Sequence, residues 1–147
     1  MRSLFEAGAR ADLLGRLSHL TPDKRPAWGR MNAPQMVCHL ADWFRMALGD
    51  LEVRPRKLPL RYPVIKQLVI YVLPFPKGAP TAPELRARAP AEWNGEIETL
   101  RTLLDRFAEA SARESWPAHP AFGAMSRRAW GALAYKHTVH HFRQFGL

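Results

Sequence analysis

The chain has 147 residues, of which 47% are hydrophobic and 24% charged, values that suit one globular domain over 1–147 and argue against a disordered or collagen-like chain. Its 22 Lys and Arg against 13 Asp and Glu leave a net charge of +9, and its one cysteine, Cys38, excludes an intramolecular disulfide and argues against a cysteine-based zinc site. No run of about 20 apolar residues is present to span a bilayer, and Met1 to Glu6 lack the apolar core of a signal peptide, so a cytoplasmic protein with no membrane partner is expected.

In chain order, the long segments carry helical rather than alternating spacing. From about Glu6 to Leu20, Leu13, Leu14, Leu17 and Leu20 form one stripe, and Thr21-Pro22-Asp23 stops it. The second helix opens on Asn32, with Gln35 three residues on as in a capping box and Pro34 tolerated in the first turn. Its apolar positions run from Met36 through Val37, Leu40, Trp43 and Phe44 to Leu48, and Gly49 is its natural stop. From Asp50 to Pro90 the chain is proline-rich and irregular. One apolar piece inside it, Val64 to Leu73, predicts a short helix that packs across the others and lids a pocket. The third long helix spans about Glu92 to Ala112, with Trp93, Ile97, Leu100, Leu103, Leu104 and Phe107 on one face, and the fourth runs from after Ser126 almost to Leu147. The fold class this predicts is all-α, a four-helix bundle with a long crossover between helices two and three, although periodicity alone leaves the helix order open.

The positive residues are scattered. The densest group is Arg54, Arg56, Lys57 and Arg61, with pairs at Arg86/Arg88 and Arg127/Arg128. No zinc-finger spacing, basic zipper or RNA-binding aromatic motif accompanies them, so no nucleic-acid partner is expected. They read as a solvated surface, or as a rim that attracts an anionic small-molecule substrate.

The chemistry lies near the C-terminus. His137, His140 and His141 fall within five positions. Each helical residue advances about 100°, so His137 and His141 lie only about 40° apart, one turn from each other, where two imidazoles can reach one metal. Their midpoint falls close to Trp130 on the helical wheel, while His140 falls toward the edge of the buried stripe. His137 and His141 are therefore the expected inward pair. Gln144, three residues beyond His141, could orient a ligand or a water. The third ligand is best supplied by His39, beside Met36 and Trp43 on helix two. Asp42, three residues on, could be its hydrogen-bond partner or a fallback ligand. Three neutral imidazoles leave coordination positions open, which suits a Lewis-acid role better than a structural one. His19 and His119 read as turn or surface residues, with His119 near enough to helix four to approach the site mouth. Cys38 reads as packing.

Across nearly its whole length the sequence resembles the DinB-like superfamily of bacterial metal-binding four-helix bundles. The resemblance rests on Trp28-Gly29-Arg30-Met31, on Gln35 to Asp42, on His119-Pro120-Ala121-Phe122-Gly123, and on Trp130-Gly131 leading into His137 to Gln144. It implies that helices two and three run parallel and that His39, His137 and His141 hold a metal. Gln144 matches a glutamine that commonly follows the last ligand. Phe142-Arg143 stands where many relatives have Arg-Gly, so substrate contacts differ there. The resemblance also implies thiol-dependent transferase or isomerase chemistry with a small thiol such as mycothiol, bacillithiol or glutathione. Stress induction and a homodimer are habits of the family.

The expected function is thus divalent-metal-dependent transfer of a small thiol to an electrophile. Zinc, nickel, iron and manganese all suit the donor set. The alternatives are metal-assisted hydrolysis and a non-catalytic, metal-stabilised ligand-binding module.

Overall fold

A computed structural model describes residues 2–147 as five helices: α1 (Ala7–Leu17), α2 (Ala33–Leu48), α3 (Pro63–Gln67), α4 (Trp93–Glu109) and α5 (Arg127–Gln144). A π-helical turn, Leu68–Val72, continues α3. The described residues include no strand, only an isolated antiparallel bridge between His119 and Gly123. Among the described residues, no helix is long and apolar enough to cross a membrane.

The helix ends follow their caps. Asn32 accepts a bond from the Gln35 N–H at 2.9 Å, and the Gln35 side chain accepts from the Asn32 N–H at 2.9 Å, which satisfies two otherwise unpaired donors of α2. Gly49 ends that helix in the left-handed region at φ 89°. The Glu92 carboxylate accepts from the N–H groups of Asn94 and Gly95, each at 2.9 Å, and starts α4. Ser126 starts α5 by accepting from the Ala129 N–H at 3.2 Å. The first helix is shorter than its leucine stripe suggests. It stops at Leu17 because the chain folds back through turn bonds, yet Leu20 is still buried.

α2 is apolar around most of its circumference and is buried along nearly its whole length, chiefly against α4. α1 packs on α5 and α4. Phe44, Phe107 and Trp130 are fully buried, and each such side chain contributes roughly 2–3 kcal/mol of burial. The N-terminal segment crosses α5 at Gly131, whose carbonyl accepts from the Leu4 N–H at 3.0 Å. A Cβ at 131 would run into the side chains of Ser3 and Phe5, so the crossing requires glycine.

The apolar piece 64–73 does form a short helix, but only Ile70 is fully buried in it. Val64 and Val72 remain 72% and 68% exposed. The Lys136 ammonium of α5 donates to the carbonyls of Val69, Ile70 and Leu73 and so holds the end of the π-helical turn against α5.

Asn32→Ala is expected to cost about 1 kcal/mol of stability in urea denaturation, and Asn32→Ser, which keeps an acceptor, much less.

Candidate metal centre

His39 lies between Met36 and Trp43 on the buried face of α2. Its Nδ1 is 3.1 Å from the carbonyl of Leu85, in a short 3-10 turn (Pro83–Arg86) of the long insert. A carbonyl can only accept, so Nδ1 carries the proton and Nε2 presents a lone pair.

His141 reaches the same state by another route. Its Nδ1 is 3.0 Å from Oε1 of Gln144. The Gln144 amide donates in turn to the Trp28 carbonyl at 2.6 Å, which fixes which end of the amide faces His141. The Ala27 N–H donates to the Gln144 carbonyl at 2.7 Å, so the 27–29 loop clasps the end of α5. Gly29 (φ 86°) allows this approach, since a Cβ there would occupy the position of the Gln144 amide. Oriented in this way, Nε2 of His141 also presents a lone pair.

The two lone pairs converge on His137. Its Nε2 lies 3.3 Å from Nε2 of His39 and 3.2 Å from Nε2 of His141. All three nitrogens lie within 4.8 Å of one another. A neutral His137 can donate to one of its neighbours but not to both, and its Nδ1 is buried without a partner. A cation placed among the three nitrogens resolves the conflict, so the residues present fit a metal ion. Burial pushes each imidazole toward its neutral, ligating form. His141 is driven down to about 3, with His39 nearby adding to the effect. His39 is lowered by burial against an opposing pull from the Leu85 carbonyl, and His137 is held well below its ordinary value by burial and by the imidazoles around it.

The other candidate residues take different places. His140 stays outside the cluster, edge-on to Trp28 and Phe75 at centroid distances of 6.1 and 5.8 Å. Asp42, expected as a partner of His39 or a fallback ligand, instead accepts from Arg45 at 2.6 Å and from Arg88 at 3.2 Å. Arg88 also grips Glu96 of α4 with both terminal nitrogens. That bond lowers the Glu96 pKa and raises that of Arg88. Arg88 is thus a strut between α2 and α4 rather than part of a solvated surface, a role its scattered setting in the sequence does not reveal.

His119 is a turn residue, one of the two readings of it, but it is buried there rather than exposed. Its Nδ1 accepts from the N–H groups of Ala121 and Phe122 at 3.1 and 3.3 Å, and burial pushes its pKa down to about 3. His19 is exposed, as read. The Cys38 thiol is buried and pushed up to about 11, chiefly by that burial.

An all-helical chain that brings one imidazole from α2 and two from α5 to a single point defines a candidate mononuclear metal centre. The family model of the DinB superfamily matches residues 7–145, and the chain belongs to that superfamily. No curated protein and no solved structure matches it significantly.

Two outcomes are expected. In calorimetric titration with zinc, Gln144→Leu should weaken binding roughly 10–100-fold and His141→Ala at least as much, while His140→Ala changes it little. The second concerns His119, whose folded pKa of about 3 lies below the unfolded value of about 6.5. Its neutral form stabilises the fold fully above pH 6.5, and that contribution is lost as pH falls toward 3, with about 2 kcal/mol gone at pH 5. His119→Asn keeps an acceptor for the turn and removes the titration. In urea denaturation of metal-free protein it should lose about 2 kcal/mol less than wild type between pH 7.5 and 5.

Proposed function

We propose that the chain is a divalent-metal-dependent enzyme in which His39, His137 and His141 hold the ion and a small external thiol is transferred to an electrophilic substrate. In this reading α1, α2, α4 and α5 form one four-helix bundle. The 49–92 link is the crossover that lets α2 and α4 run parallel. The observation that carries the reading is the meeting of two imposed lone pairs on a third imidazole.

His39, His137 and His141 would hold the ion as neutral imidazoles, and such an ion would supply Lewis acidity that lowers the pKa of a bound thiol. The protein's own residues arrange that centre. Leu85 and Gln144 fix the rings of His39 and His141 before any guest arrives, so little reorganisation accompanies binding. Trp43 packs 5.0 Å from the His137 ring and keeps the inner side of the centre apolar.

The thiol must come from outside the chain. Cys38 is the one cysteine, and its thiol lies 3.5 Å from the Arg88 carbonyl, buried and protonated at neutral pH. Such small thiols are kept reduced in the cytoplasm, the compartment this reading assigns.

The test is turnover of a halogenated nitroarene by metal-loaded protein with several low-molecular-weight thiols. The expected rate needs both metal and thiol and is lost in His141→Ala. Ester or amide hydrolysis without thiol would replace this reading with a hydrolase. Silence across thiols and metals would leave a binding module.

A further inference from the structure

Beside the histidine cluster, between the 72–77 segment and α5, lies a pocket of about 450 Å³. His140 lines it and stands between it and the cluster, its ring centroid 5.2 Å from that of His141. A second hollow, at Arg113–Pro117, has no histidine in its lining.

The pocket's lining has two characters. Val72, Leu73, Pro74 and Val139 are apolar, and Trp28, Phe75 and Tyr135 add aromatic surface. Arg2, Lys77, Lys136 and Arg143 supply four cations, and no carboxylate lines the pocket. Two of the four are engaged elsewhere. Lys136 donates to the backbone carbonyls of the π-helical turn, and Arg2 donates to the Tyr135 hydroxyl at 3.3 Å with Asp12 at 3.6 Å. The other two are not. Lys77 lies over the Trp28 ring, 4.6 Å from its centroid, and neither it nor Arg143 donates to a side chain or carbonyl among the described residues.

Apolar walls reward a hydrophobic body, and two lining cations that pair with no carboxylate reward an anion. A hydrophilic peptide-like thiol would leave the Val72–Pro74 and Val139 surface unmatched. We infer that this pocket takes the electrophilic substrate, and that the substrate is an organic anion with an apolar, planar body, of which an arene carboxylate is the simplest kind. The word substrate rests on the proposed function, whereas the ligand chemistry rests on the lining alone.

The probe is 2-naphthoate, titrated calorimetrically beside the neutral, isosteric 2-naphthamide, into both metal-loaded and chelator-treated protein. The naphthoate is expected to bind about tenfold or more tightly than the amide, including in metal-free protein. Lys77→Ala and Arg143→Ala should each weaken the carboxylate about tenfold and leave the amide unchanged. Both residues are exposed or nearly so, and neither substitution threatens the fold. Equal affinity for acid and amide would overturn the inference. So would carboxylate binding that vanishes with the metal and ignores both substitutions, since the anion would then sit on the ion, with the metal reading intact. Carboxylate binding that persists in a protein unable to take up metal would support the pocket and sink the proposed function instead.

Discussion

An imidazole that donates from Nδ1 must accept at Nε2, and this rule governs the centre of the molecule. Leu85 imposes it on His39 and Gln144 imposes it on His141, from opposite sides of the cluster. Neither ring can relieve the contact by exchanging tautomers without breaking a bond to a group that can only accept. Nor can protonation relieve it cheaply, because all three rings sit where charge is poorly solvated. The arrangement is therefore frustrated as a purely organic core and relaxed as a metal cradle. Two neutral carbon side chains in place of these rings would pack without that conflict, which is why the cluster reads as functional rather than as filler.

The same logic explains the segments around it. The Leu85 carbonyl is useful only if the insert is held still, and Arg88, three residues later, does the holding. It bridges Asp42 on α2 and Glu96 on α4, whose side chains are 5% and 3% exposed. Buried carboxylates tied to one guanidinium add little net stability, but they define position strictly, because any shift leaves a charge unpaired. On the far side, the 27–29 loop does the equivalent for Gln144 with two backbone bonds and a glycine that permits the close approach. Each orienting group thus has its own anchor, one ionic and one made of backbone.

Much of this was legible in the sequence, and the boundary has a physical cause. Helix ends are local, so Asn32, Gln35 and Gly49 announced α2 correctly. Ligand spacing on one helix is also local, so His137 and His141 could be paired by angle and His140 set aside. His39 was reachable because it borders a strongly apolar face. The rest is non-local. Carbonyls carry no residue signature, so Leu85 and Trp28 could not be foreseen as orienting groups. Asp42 looked like a histidine partner because the path that brings Arg88 to it runs through an irregular insert with no period to read. His119 reads as a turn or surface residue, and the turn is there, but its burial is not legible because it depends on that turn closing on Gly123 against Trp43 and Trp130.

The neighbours of the cluster also bear on how the proposed guest would reach it. Leu85 closes the side of the cluster toward the insert's 3-10 turn, the Gln144–Trp28 link closes the end of α5, and Trp43 closes the interior. The remaining neighbours are His140 and Phe75, whose ring is 6.3 Å from that of His137. The pocket they line carries uncommitted positive charge over apolar surface. An anionic guest of the proposed kind would be attracted over about a Debye length, roughly 8–10 Å in physiological salt, and would then shed water against the apolar walls, where the remaining charge interactions strengthen. On the proposed reading, attraction at the pocket and dehydration near the histidine cluster are successive stages of one path, which would tie the cations around α5 to the three neutral imidazoles within it.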